Sequence, residues 1–376
     1  MSKGFAIPTL IFGLMTANFA QAEDEVRIAL SSTAKSIMIS GLDLSVFDGV
    51  IGERLATAVG EANISLRVSN SRVRISTQGL KYDKKARRES KKLIFESNDG
   101  VRVDGTLYLG RISAEVKKGR LLVINRIPIE TYLLGIVGSE MNPLWPSDAL
   151  KAQAVAARTY AMQRRMIMRY ANRAYDLEST VLSQVYKGAE RISQSVIDAV
   201  SLTRGEVLSH KHRLVEALFH STCGGQTNSA REAFGNHVSY LVPKKCKWCR
   251  PSPRYRWETQ IPLKDLERSL QKAKLISGKL TEIYRKNGQM KTTAFTRSKK
   301  FFLSSRSLRT ASGYSKVFSS KFSAKTRGGD VHFRGRGFGH GVGMCQWGAK
   351  GLADAGYNYL EILAHYYNGS GVHRVY

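Results

Sequence analysis

The sequence predicts an α+β fold, a β-rich N-terminal part over about residues 23–120 followed by a mixed α/β core over 121–376. Up to about residue 127 the apolar residues come in short runs broken by polar turns. After Glu140 they recur at three- and four-residue steps, and further strand-like runs and a Gly-rich segment then lead to the C-terminus. No internal repeat interrupts this order.

Residues 1–22 are expected to be a signal peptide outside the fold. Lys3 supplies a short positive region, Phe5 to Phe19 an apolar stretch, and Ala20-Gln21-Ala22 a small-x-small cleavage site. A membrane anchor fits less well, because the stretch contains Pro8, Gly13, Thr16 and Asn18 and is shorter than the ~20 apolar residues of a spanning helix. No later segment is long and apolar enough to span, so the expectation is an exported chain in the periplasm or cell wall.

In the β-rich part, strands are expected at Val26–Leu30, Lys35–Ile39, Val101–Val103 and Leu121–Ile124. Asn98-Asp99-Gly100, between Leu93-Ile94-Phe95 and Val101-Arg102-Val103, reads as a hairpin turn. Further on, Ser147 is placed to cap a helix whose stripe is Leu150, Ala154, Ala157 and Ala161; its small residues allow close packing. Lys151 and Arg158 project from another face, two turns apart. A second helix is expected over about 192–202, ending at Gly205, with strands at Val207-Leu208 and 214–219. A last helix spans roughly Tyr359 to Tyr367.

Charge narrows the class of partner. Lys and Arg number 59 against 30 Asp and Glu, a formal net charge of +29. Such a balance attracts a polyanion or an acidic surface, although a generally basic, solvated surface accounts for part of it. An exported chain rarely meets nucleic acid, which leaves the anionic polymers of a cell envelope. Residues 264–328 are especially basic, with few acids.

Four stretches stand out. They are NRIPIETYLLGIVGSEMNPLWPSDALKAQAVAARTYAMQRR from Asn125, YDLESTVLSQVYKG from Tyr175, FHSTCGGQT from Phe219 with Cys246-Lys247-Trp248-Cys249, and GRGFGHGVGMCQWGAKGLADAG from Gly335. In this order and spacing the chain resembles the stage II sporulation protein D (SpoIID/LytB) family over about 120–376. The resemblance implies a SpoIID-type catalytic core and a peptidoglycan lytic transglycosylase with one catalytic Glu at the Ser-Glu-Met motif, here Glu140. It places Arg158 at the family's Ala-Arg-Thr arginine, as a second catalytic candidate. For some relatives it implies a non-catalytic role in activating an amidase.

The residues around Glu140 suit that role. The apolar run before Gly138 and Met141, Pro143, Leu144 and Trp145 after it disfavour an ionised carboxylate, as a general acid needs. A lytic transglycosylase needs no second carboxylate, because the muramoyl C6 hydroxyl attacks internally and the same Glu takes its proton. A hydrolytic muramidase would require a partner carboxylate, and Asp148 and Asp176 are the nearest candidates in sequence. Arg158 and Lys151 are candidates to bind substrate carboxylates or orient Glu140, Arg through its planar fork; a surface charge is the alternative for Lys151. Tyr175, Gln184 and Tyr186 match the second family stretch and are expected to line the same cleft.

His220-x-x-Cys223 and Cys246-x-x-Cys249 form two ligand hooks, together a Cys₃His set suited to a closed structural zinc site. Disulfides are the alternative in an oxidising compartment. Some family members hold zinc through Cys and His, which favours the metal. Cys345 is left over, as an alternative fourth ligand, a disulfide partner or a buried thiol. The glycines from Gly335 to Gly343 around His340 are read either as a glycan-cleft wall, with His340, Gln346 and Trp347 as binding groups, or as a tight structural turn.

Overall fold

The computed structural model describes residues 25–76, 81–82, 88–179, 186–286 and 291–376. The expected signal peptide and Gln184 lie outside them. Strands and helices are both abundant, in an α+β fold whose N-terminal region is rich in strand.

Two sheets build the N-terminal region. In the eight-stranded sheet the central strands are Glu25–Ala34, Arg120–Pro128, Arg111–Lys117 and Lys92–Glu96, paired antiparallel in that order. A six-stranded sheet is centred on Ser36–Leu42 and Glu61–Ser69. Its strands alternate as half-buried strands should: Ile37, Ile39, Ile64 and Leu66 are buried while their neighbours face outward. Val46, Phe95, Ile112 and Val123 of the first sheet join them in one apolar core.

The Asn98-Asp99-Gly100 turn is present, but it is not a hairpin. Lys92–Glu96 belongs to the eight-stranded sheet and Val101–Val103 to the six-stranded one, so the turn carries the chain between sheets. The hairpin lies one strand later, at Asp104-Gly105, where φ of +47° and +87° joins Val101–Val103 to Thr106–Tyr108.

Helix α1 (Ile129–Glu140) leaves the sheet directly from Arg120–Pro128, and α2 (Ser147–Tyr170) packs against it. The predicted stripe Leu150, Ala154, Ala157 and Ala161 is fully buried, and so are Ala152, Val155 and Ala156. Small side chains therefore let α2 run through the core rather than along its edge. Ser147 is the first helical residue and Pro146 the cap, because Pro supplies a preset φ at that boundary. Helix α3 (Gln194–Leu202) follows, and the expected strand over 214–219 shrinks to two short pieces, Arg213–Leu214 and Phe219–His220. Helix α4 (Ala230–Phe234) carries a full capping box from Ser229 and Glu232.

Residues 256–336 then form a second, separately cored unit. Its six-stranded sheet runs Arg256–Pro262, Asp330–Arg336, Lys321–Arg327, Leu280–Arg285, Lys291–Thr296 and Lys300–Ser304. Helices α5 (Leu263–Lys272) and α6 (Ser305–Ser312) contribute Leu266, Leu270 and Leu308 to its core of Trp257, Ile283, Phe322 and Phe333. After it the chain returns to the main core with α7 (Gln346–Asp354) and α8 (Tyr359–Tyr366), the latter as the sequence predicts. No described helix is long and apolar enough to cross a membrane.

Candidate active site

Glu140 is the last residue of α1 and opens onto a cleft of about 2030 Å³ between the main core and the 256–336 unit. Gln346, the first residue of α7, donates from Nε2 to Glu140 Oε2 at 3.1 Å, with Gln153 Oε1 of α2 3.4 Å from the same nitrogen. Three helices thus converge on one carboxylate. Gln346 and Gln153 are both buried, so the amide that fixes the carboxylate is itself held by packing. Tyr160, Phe219, Phe234 and His340 line the same cleft.

The Gly-rich stretch is a close-packed wall. Gly337, Gly339, Gly341 and Gly343 all have left-handed φ, and a Cβ at Gly343 would lie 2.0 Å from the Leu218 carbonyl. The backbone approaches the 218–228 segment closely while keeping His340 at the cleft. His340 Nδ1 accepts from the Val342 amide at 3.1 Å, and its ring meets His220 and Phe234. Burial pushes its pKa down to about 4, against the opposing backbone bond at Phe219. The stretch is thus a tight turn, and it also places Gly339 and His340 in the lining of the cleft.

Just behind Gln346 lie four sulfurs. The Sγ atoms of Cys223, Cys246, Cys249 and Cys345 are within 4.8 Å of one another, all buried and all unbridged. The Cys223–Cys249 separation is 3.4 Å, close to the ~3.8 Å edge of a tetrahedron with metal–sulfur bonds near 2.3 Å. This donor set fits a tetrahedral thiolate-bound cation. Backbone amides of Cys223 and Gly348 point at Cys345 Sγ, at 3.2 and 3.3 Å, as a thiolate requires. Hydrogen bonds from Cys223 and Cys246 hold the Cys249 thiol far below its ordinary value, while the same sharing pushes Cys223 up. Burial, first of all, raises Cys345.

The fourth corner differs from the Cys₃His expectation. Cys345 occupies it, and His220 stands outside the group, bonded through Nδ1 to the Val342 carbonyl at 3.0 Å. The reason is register. Phe219–His220 pairs in parallel with Met344–Cys345, which brings the distant Cys345 to Cys223 and turns His220 to the cleft. Its Nε2 is buried there without a described partner.

Several residues expected at the site are elsewhere. Arg158, at 0% exposure, is locked in a two-pronged ion pair with Glu130, Nε and Nη2 each 2.8 Å from a carboxylate oxygen. It also donates to the Glu206 and Val200 carbonyls. The pair lowers the Glu130 pKa, overcoming the rise that burial alone would cause, with help from Tyr376 and the Gly205 amide. Lys151 sits beside Asp148 and over the Tyr359 ring. Tyr186 is core, wedged between Tyr108 and Tyr132 and donating to Asn125. Tyr175 bonds Glu178 against the outer Ala29 cluster. Trp347 packs edge-on to Trp145 rather than lining the cleft. Asp176 is bound by Arg27 and Asp148 by the Tyr359 amide, and neither is among the residues that line the cleft with Glu140.

Glu216 and Glu232 on the Glu140 side of the cleft, and the Arg and Lys residues that line the other side, carry no motif in the sequence. The basic composition of 264–328 is the signal for five of the latter, Arg285, Lys291, Arg306, Arg309 and Lys321. Nothing in sequence says that this segment folds back over Glu140.

The comparisons with known proteins point to the family that the four stretches resemble. The family described as Stage II sporulation protein (SpoIID) matches residues 117–210. An uncharacterized protein of Brachyspira hyodysenteriae is 36% identical over 74% of this chain and 75% of its own length. Stage II sporulation protein D of Bacillus subtilis is 30% identical over 76% of this chain and 85% of its own. The amidase enhancer of Bacillus subtilis is 29% identical over 73% of this chain but 45% of its own length.

Proposed function

The chain belongs to the stage II sporulation protein D family, and from that premise we propose that it is an exported enzyme that cuts peptidoglycan glycan strands as a lytic transglycosylase. The observation that carries the reading is Glu140 at the cleft, its carboxylate oriented by Gln346. Protonated Glu140 donates to the oxygen linking N-acetylmuramic acid to N-acetylglucosamine, and the C1–O bond breaks. The muramoyl C6 hydroxyl then attacks C1, its proton returns to the Glu140 carboxylate, and a 1,6-anhydro end results. No water is consumed. Gln346 keeps the carboxylate in one rotation through both proton transfers.

Zinc is the cation proposed for the four sulfurs, a closed set whose role is structural. Cys345 immediately precedes Gln346 and caps α7, so holding its sulfur holds the amide that touches Glu140. His220 and His340 are proposed as cleft groups for sugar hydroxyls.

Two other readings have an observation behind them. Glu216 and Glu232 in the cleft supply carboxylates that a hydrolytic muramidase on this scaffold would use. The likeness to an amidase enhancer supports a non-catalytic wall-binding role with an amidase partner. Mass spectrometry of fragments released from purified peptidoglycan by the chain and by Glu140→Gln separates them. Anhydro-muramoyl ends lost in the variant support the transglycosylase, and free reducing ends the muramidase. No fragments from any wall preparation, with Glu140→Gln still activating an amidase, would overturn the catalytic reading.

A further inference from the structure

The cleft is electrically polarised. Among the described residues its lining includes eight Lys and Arg, all from the 256–336 unit, with Glu258 as the single carboxylate on that side. The facing wall supplies Glu140, Glu216 and Glu232 and, among the described residues, no Lys or Arg. Arg309 shows that the basic side is more than a solvated surface. It is buried at the cleft, and its described hydrogen bonds go to the Val317 and Phe318 carbonyls. Burial pushes its pKa down to about 10. Its guanidinium also lies 5.0 Å over the Tyr314 ring, and with two carbonyls and an aromatic face as described partners the buried charge is left for an approaching anion to balance. Lys291, Arg306 and Arg336 extend the wall as exposed groups, and Arg334 joins them from its exposed pair with Glu258.

A neutral polysaccharide gains nothing from such a wall. A muramoyl strand does, because every second sugar carries a lactyl ether that ends either in a carboxylate or in a stem peptide bearing carboxylates. We propose that the basic wall of residues 256–336 is a carboxylate subsite that reads the muramoyl substituents of the strand and sets which edge faces Glu140. This rests on the function proposed above. Glu216 and Glu232 on the facing wall repel the same carboxylates, so the two walls together favour one orientation, with the substituents toward the 256–336 unit and the scissile linkage toward Glu140. Long-range attraction of this kind weakens as salt rises.

The test reads binding without turnover, in full-length Glu140→Gln protein. Three probes are compared at low and high salt: an uncharged N-acetylglucosamine hexamer, glycan strands stripped of stem peptides, and strands that retain them. The charged strands are expected to bind at least ~10-fold more tightly than the hexamer at low salt, the scale of one charge-assisted contact. That advantage should shrink in high salt. Adding Lys291→Gln, Arg306→Gln and Arg334→Gln, all exposed positions, should remove most of it and leave hexamer binding unchanged. Tighter binding of stripped strands assigns the wall to the lactyl carboxylate, and of intact strands to the stem peptide. Equal affinity for neutral and charged probes, or a triple variant that keeps the full difference, overturns the proposal. Fragment release by the unmodified chain is measured separately, so a failure of the cleavage chemistry is not confused with a failure of the subsite.

Discussion

Replacing Arg158 with Ala tests whether this residue acts in stability or in chemistry. The guanidinium is fully buried, and it makes two bonds of 2.8 Å to Glu130 and two longer ones to carbonyls. Losing two charge-assisted bonds at about 1.5 kcal/mol each already amounts to ~3 kcal/mol. The stranded Glu130 carboxylate raises the loss to about 3–5 kcal/mol, the usual result of breaking a buried pair from one side. With an unfolding entropy of ~2.1 cal/mol/K per residue, that corresponds to a fall in Tm of about 5 °C for a chain of this size. Glu130 is held below its ordinary pKa, so the pair's contribution is present above the pKa of an unfolded Glu. It is lost as pH falls through the lower folded value, and the gap between wild type and variant should close in acid. Thermal unfolding against pH, with fragment release assayed well below the variant's midpoint, checks both statements. The double variant Arg158→Met, Glu130→Leu should recover most of the loss, since an apolar pair removes both buried charges. An Arg158→Ala protein that melts like wild type yet releases no fragments would refute the reasoning and return Arg158 to the chemistry.

The other predictions concern the site itself. Cys246→Ser, or a strong chelator, should lower zinc content and Tm together and reduce fragment release with Glu140 intact; metal analysis beside unfolding curves checks this, and a wild-type protein without zinc removes the basis for it. Gln346→Ala should leave the fold in place and lower kcat by about 10- to 100-fold through loss of carboxylate orientation, with a smaller change in KM. His340, with its pKa near 4, stays neutral in the fold while an unfolded His takes up a proton near 6.5. Stability is therefore complete above ~6.5 and falls as pH drops toward 4, by at most ~3 kcal/mol at 1.36 kcal/mol per unit, less for a ring partly open to the cleft. His340→Gln should flatten that slope in urea unfolding across pH 4–7.

Local order and chemistry were legible in the residues. The short apolar runs of the N-terminal strands, the Leu150–Ala161 stripe, the final helix and the four motif stretches all identify themselves, because side-chain spacing and turn residues act over a few positions. The Asn98-Asp99-Gly100 turn was legible too, but its partners were not, since a turn says where the chain bends and not which sheet accepts the next strand. The site divides the same way. Glu140 and Gln346 carried their own motifs, while their contact spans 206 positions and depends on three helices packing together. The exchange of His220 for Cys345 follows from a parallel register between Phe219–His220 and Met344–Cys345, and no local pattern encodes a pairing that brings Cys345 to Cys223 across 122 positions. Arg158 shows the opposite case. A prominent motif residue was drawn away from the cleft because its nearest carboxylate in space is Glu130, one helix earlier in the chain. Residue types decide what chemistry is available to this protein. Which of those groups meet is decided by the tertiary packing, because contact energies depend on distance in space and sequence constrains that distance only over a turn or two.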